Sequence, residues 1–205
     1  MDALEKRIID LSHKHKLSHI GSCIGSVHTI DRCYESMRPE DKFVLSNGHA
    51  FLGLAVVLEK HKGLDAEKLI LEHGTHPNRN PGEEIWVSTG SLGQGIPIAV
   101  GMALADRNKD IYVVSSDGEC AEGSVWEALR IASEKKLENI RLAVVANGMG
   151  AYGKIDIDIL DERLNLFYPT LVVRTNMFSY PEYLNDLKGH YTVLTDEQYK
   201  EITHE

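Results

Sequence analysis

The chain has 205 residues, 42% of them hydrophobic and 26% charged, with a formal net charge of −9, which is room for one globular domain with a substantial core. The acidic balance argues against a broad basic face for nucleic acid or an anionic membrane, and no apolar run reaches the roughly 18 to 20 residues of a bilayer span. Met1 to Arg7 lacks the apolar core of a signal peptide, and Cys23, Cys33 and Cys120 show no paired spacing and read as small buried side chains, so a reducing, cytoplasmic setting is expected.

Leu4, Ile8, Ile9 and Leu11 between polar residues predict a helix up to about Lys16. A Gly/Ser-rich loop is expected over Ser18 to Ser26, followed by a short buried strand at Phe43 to Leu45. Gly48-His49 marks the turn into an apolar helix from about Phe51 to Glu59. Pro77, Pro81 and two asparagines make residues 74 to 84 an irregular loop. Val87 to Gly95 feeds a helix of small residues from about Ile96 to Asp106. Strand 111–115, helix 123–135 and strand 140–146 form a βαβ unit, which places both strand tips on one edge of a parallel sheet. Beyond Asn147 the pattern weakens, with a strand at Leu171 to Val173 and a closing helix from about Thr195. The expected class is α/β: a mainly parallel sheet flanked by helices on both faces, in one domain over residues 1–205.

The chemistry concentrates at the strand tips. Asp117-Gly118-Glu119 closes one apolar strand and Asn147-Gly148 the next. An acid and an amide at adjacent tips can share one cation, and Mg2+ takes a few hard oxygens from protein and the rest from phosphate and water. Asp117, Asn147 and the carbonyl of Met149 are the candidate ligands. Gly118 lets backbone approach a phosphate, and the helix starting near Glu122 turns N–H groups toward it. The competing account is that Asp-Gly and Asn-Gly are only tight turns. His19, His49 and His76 all fall in predicted loops, where a polar pocket could bind hydroxyls and exchange protons near neutral pH. His13, His15, His28, His61, His73 and His204 read as surface or structural, and no ligand set completes a zinc site around His73 and His76. Gly90-Ser-Leu-Gly-Gln-Gly95 is G-x-x-G-x-G, not the dinucleotide order, and suits close approach of backbone to a ring or phosphate.

In unbroken order over roughly residues 1 to 155, these blocks resemble the N-terminal, diphosphate-binding part of the transketolase family. The resemblance rests on Ser18-His19-Ile20-Gly21-Ser22, Asp41 to His49, Thr75-His76-Pro77, Ser88 to Gly95, Asp117-Gly118-Glu119 with Glu122-Gly123, and Asn147-Gly148. It implies the thiamine-diphosphate-binding fold, with thiamine diphosphate and magnesium as cofactors. Asp117, Asn147 and Met149 then look like the metal ligands. His19, His49 and Gly118 look like diphosphate-side contacts, Gly90 and Leu92 like backbone contacts to the cofactor's rings, and Glu119, Glu122 and Asn147 like further cofactor-binding residues. His19, His49 and His76 also look like the substrate-pocket histidines, and His190 resembles the family's late pocket histidine. Glu122 and Glu127 resemble carboxylates buried between paired subunits.

Ile20, Ser116 and Ala146 depart from the usual proline, glycine and acid or amide, and residues 151 to 189 are shorter than the family's stretch. The family's activating glutamate lies in a pyrimidine-binding domain with no counterpart in these residues. The resemblance therefore implies a partner, a C-terminal transketolase-like subunit carrying that domain and the activating glutamate, in an α2β2 assembly that moves two-carbon ketol units between sugars or sugar phosphates. Two alternatives stay open: a deoxyxylulose-phosphate-synthase-like enzyme acting on a 2-oxo acid, and a cofactor-binding remnant that serves as a scaffold.

Overall fold

The computed structural model describes residues 1–150, 152–175, 180–184 and 187–204, with backbone only at 187 and 188. Helix α1 (Ala3–His15) is opened by Asp2, whose carboxylate accepts from Glu5 N while Glu5 accepts from Asp2 N, each at 2.9 Å, a reciprocal cap that satisfies two otherwise orphaned donors. The stretch from residue 20, where composition favours a loop, is instead helical: α2 spans Ile20–Ser36. Ile20, Cys23, Ile24, Val27 and Ile30 recur every three or four residues and are all buried. That stripe outweighs the poor helix propensity of the intervening glycines and serines.

Strand β1 (Lys42–Leu45) leads through a short 3-10 turn at 48–50 into α3 (Phe51–Lys62), which stops at Gly63 in a left-handed backbone, φ 67°. An additional helix not expected from the pattern, α4 (Ala66–His73), is capped by Asp65. Then follow α5 (Gly95–Ala105), β2 (Ile111–Ser116), a 3-10 turn over Asp117–Ala121, α6 (Gly123–Glu134) and β3 (Ile140–Ala146). Past Asn147 the chain forms a small hairpin of β4 (Met149–Gly150) and β5 (Gly153–Lys154), then α7 (Ile157–Phe167) and β6 (Leu171–Arg174). Helices α8 (Leu187–Tyr191) and α9 (Asp196–Thr203) complete the order.

The main sheet is wholly parallel in the order β1-β2-β3-β6. Side chains alternate across it because successive strand residues point to opposite faces. Val44, Val113 and Leu142 share a register row and join the core under α5, α6 and α7; Leu45 and Val114, one residue on, join the core under α1 to α4. All four strands run the same way, so Ser46, Asp117, Asn147 and Thr175 stand together at the C-terminal edge, where open α/β sheets hold ligands.

The C-terminal arm returns to the start of the chain. Leu184, Leu194 and Ile202 enter the first core. Tyr199 donates to Asp10 at 2.8 Å, His13 pairs with Asp196 at 2.8 Å, and the His13 and Tyr199 rings stack at 4.3 Å. Among the described residues no helix is long and apolar enough to cross a membrane.

Candidate functional site

Asp117 is 2% exposed at the tip of β2, and its carboxylate reaches the tip of β3. Oδ2 accepts from the N–H groups of Asn147 at 2.9 Å and Gly148 at 2.7 Å, and Oδ1 from Gly118 at 2.9 Å. The spacing of the two strand ends is thereby fixed. Burial nevertheless raises the Asp117 carboxyl above its usual range, against the pull of these three donors. Asn147 is exposed, and its Oδ1 accepts from Met149 N at 2.9 Å. A Cβ placed on Gly118 would come no closer than 3.8 Å to anything, with the Met149 carbonyl among its nearest neighbours. The Asp117 carboxylate and the Met149 carbonyl thus lie beside an open glycine, with the Asn147 amide at the adjoining strand tip, and hard oxygens of these kinds suit Mg2+. A cation there would also favour the ionised carboxylate that burial disfavours.

Two residues on, Glu119 is fully buried. Its Oε1 accepts from Ser46 Oγ at 2.8 Å and Gly93 N at 3.0 Å, its Oε2 from Ser115 Oγ at 2.7 Å and Ser116 N at 3.3 Å. One carboxylate therefore joins the ends of β1 and β2 to the Gly-rich loop. Ser46 and Ser115 do not stand out in the sequence, although a serine closing an apolar strand is a recognisable signal. Burial raises the Glu119 carboxyl while these four donors oppose it.

The Gly-rich loop is packed as tightly as its composition suggests. Gly90 has φ 138°, and a Cβ there would lie 2.7 Å from His76 Cδ2; a Cβ on Gly93 would lie 2.5 Å from that of Glu122. Leu92 and Glu122 are both half-buried beside it. Glu127 is 65% exposed and paired with Arg130, so any burial of this carboxylate requires another surface over it.

The four histidines named from the sequence do converge. The His19 ring lies 4.3 Å from His190, 5.6 Å from His49 and 6.4 Å from His76, and His49 lies 5.0 Å from His190. Burial, then His190 and His76, hold His19 down to about 4. His49 falls to about 3, through burial and then His190, His19 and His76. Burial also lowers His190. At neutral pH these three imidazoles are therefore uncharged, each able to donate from one nitrogen and accept at the other. Tyr191 adds its ring 5.0 Å from His190 and 6.0 Å from His19.

His73 is bonded through both ring nitrogens. Its Nδ1 accepts from Asn78 N at 3.0 Å and its Nε2 pairs with Glu83 at 2.8 Å, which ties down the loop 74–84. Asn47 is a polar residue of the site that the sequence pattern does not single out. It is 1% exposed, its Nδ2 donates to Ser26 at 3.1 Å, and its Oδ1 has no protein partner among the described residues. The three cysteines are free, with Cys23 and Cys120 buried and raised by that burial to about 12.

The family model described as "Transketolase, thiamine diphosphate binding domain" matches residues 26–170. The chain is 32% identical over 168 residues to one of the subunits of the apulose-4-phosphate transketolase of Phocaeicola vulgatus, covering 72% of this chain and 59% of that one. It is 38% identical over 133 residues to the transketolase of Pongo abelii, covering 57% of this chain and 21% of that one. In structure it is similar to the transketolase of Campylobacter jejuni, with a TM-score of 0.74, 21% identity, and coverage of 97% of this chain and 41% of that one. The likeness in structure establishes the fold. The chain spans about three fifths of the first relative and about two fifths of the solved enzyme.

Proposed function

We propose, from the premise that this chain belongs to the transketolase thiamine-diphosphate-binding family, that it is the diphosphate-binding subunit of a split transketolase-like transferase. The reaction would carry two-carbon ketol units between sugar phosphates. The observation that carries the reading is the pairing, on one sheet edge, of the Asp117/Asn147/Met149 oxygens with the cluster of His19, His49, His76 and His190. The Phocaeicola vulgatus relative, whose name specifies a sugar phosphate, supports the same class of substrate.

Asp117, Asn147 and the Met149 carbonyl would hold Mg2+, with Gly118 leaving room for the diphosphate. When bound, thiamine diphosphate supplies the stabilised carbanion chemistry for carbon–carbon cleavage, while protein binds and steers protons. Glu119 keeps the Gly-rich loop against β1 and β2, and the Gly90 and Leu92 backbone would contact the cofactor's rings. Glu122 stands beside that loop. The neutral histidines orient substrate hydroxyls as hydrogen-bond partners and, unlike imidazolium ions, can accept a proton as well as give one.

A second chain would bring the pyrimidine-binding domain and the activating glutamate. Support comes from α5, which contains no polar side chain and buries only one side: Ile98 and Leu104 are 41% and 39% exposed, with Gly101 and Ala105 open beside them. An apolar helix face of this kind is expected to be covered by a neighbouring chain, and α2β2 is the stoichiometry we propose, in the cytoplasm, with residues 1–205 acting as one module. The test is calorimetric titration of the chain, alone and with its partner, with thiamine diphosphate and Mg2+. Binding that tightens with the partner and is lost in Asp117→Ala is expected. Absence of binding in the assembled pair would refute the reading, and ketol transfer by the chain alone at full rate would refute its split character.

A further inference from the structure

His19 occupies an unusual backbone position that its neighbours in the fold hold in place. It precedes α2 with φ 65° and ψ 21°, a left-handed conformation for a residue with a side chain, and caps the helix with no side-chain bond. Such a conformation persists where surroundings over-determine it. Here His19 N donates to the His190 carbonyl at 3.0 Å, and the His19 carbonyl accepts from Cys23 N at 3.1 Å. The main chain is thus held on both sides. The ring is held by its sequence neighbour: Ser18 Oγ lies 2.7 Å from His19 Nδ1. Nε2 has no protein partner among the described residues.

The partner of one imidazole nitrogen sets the proton on the other. A hydroxyl at this distance is a strong O–H···N donor, because the imine-type nitrogen of an imidazole is a better base than a serine oxygen. If Ser18 donates to Nδ1, the ring proton resides on Nε2, the nitrogen left for a ligand. We propose that Ser18 is a positioning residue that fixes His19 as its Nε2–H tautomer, so that the pocket meets a ligand there with a donor suited to a phosphate, carbonyl or hydroxyl oxygen. The opposite tautomer would set a bare lone pair against those oxygens. The pocket's low affinity for protons agrees with this assignment, since a charged ring would donate from both nitrogens and Ser18 would have nothing to choose.

This rests on the reading of the histidine cluster as a ligand pocket, but its test needs neither cofactor nor partner. The full chain, labelled with 15N-histidine, is studied at neutral pH by long-range 1H–15N correlation, the His19 signals being identified by their loss in His19→Gln. Wild-type His19 is expected to show an unprotonated Nδ1 and a protonated Nε2. In Ser18→Ala both nitrogens shift toward the average of two exchanging tautomers, with the His49, His76 and His190 signals in place, and Ser18→Thr restores the wild-type pattern. A wild-type His19 protonated on Nδ1 would overturn the proposal, even if Ser18→Ala failed to fold. So would nitrogens unchanged in Ser18→Ala. Failure of the cofactor reading would appear only in the calorimetry.

Discussion

His49 makes the stability of this protein depend on pH in a direction that can be worked out. In the folded chain its imidazole is held down to about 3, first by burial and then by His190, His19 and His76 around it. In the unfolded chain an imidazole titrates near roughly 6.5. Between these values the unfolded chain binds a proton that the folded chain refuses, so stability falls as pH falls below the unfolded value. Integrated from pH 7 down to pH 5, this amounts to about 2 kcal/mol for His49, an upper figure because the ring is partly exposed. Asp117 and Glu119, raised by burial, act with the opposite sign: their contribution is full at low pH and is lost as pH rises through their folded values. They and His19 titrate in both wild type and His49→Gln, so the difference between the two isolates His49. Urea unfolding of each at pH 7, 6 and 5 measures it. The stability lost on acidification is expected to be smaller in His49→Gln by about 1 to 2 kcal/mol. Identical pH slopes for the two proteins would refute the argument that this pocket excludes protons.

Glu119→Ala strands four donors, two of them buried serine hydroxyls, and is expected to cost about 3 to 5 kcal/mol in urea unfolding, with Glu119→Gln losing less; a loss under about 1 kcal/mol would contradict the clamp. Gly48→Ala would set a Cβ 2.6 Å from Gly90 N and 2.7 Å from Thr89 C, and should destabilise by about 1 to 3 kcal/mol because backbone has to move. Gly101→Ala is the control: its Cβ would meet nothing within 4 Å on α5, so the isolated chain should gain roughly 0.5 to 1 kcal/mol. Ile98→Glu combined with Leu104→Glu should abolish assembly in sedimentation or scattering while leaving unfolding of the isolated chain nearly unchanged; assembly that survives would place the interface elsewhere.

Features encoded within a few residues could be read without a structure. The short apolar runs of β1, β2 and β3, the Asp-Gly and Asn-Gly turns that end two of them, and the Gly-rich loop were legible because strand-length apolar runs and turn chemistry are local signals. The expectation that Asp117 and Asn147 stand side by side, as candidate Mg2+ ligands, followed from these, since parallel neighbours must end on one edge. Three loop histidines could be named from their positions and His190 only from the family resemblance; the fold decided that His190, far along the chain, joins them. It does so because Leu184, Leu194 and Ile202 bury against helices at the other end of the sequence and carry α8 over His19. The early Gly/Ser stretch misleads for a related reason. Propensity favours a loop there, while the buried stripe from Ile20 to Ile30 gains its stability from α1 and α3, which no local window contains. Glu119 shows the same division: its place in the motif and its donors Ser115 and Ser116 are local, whereas Ser46 and Gly93 come from segments that only tertiary packing brings within reach of the carboxylate.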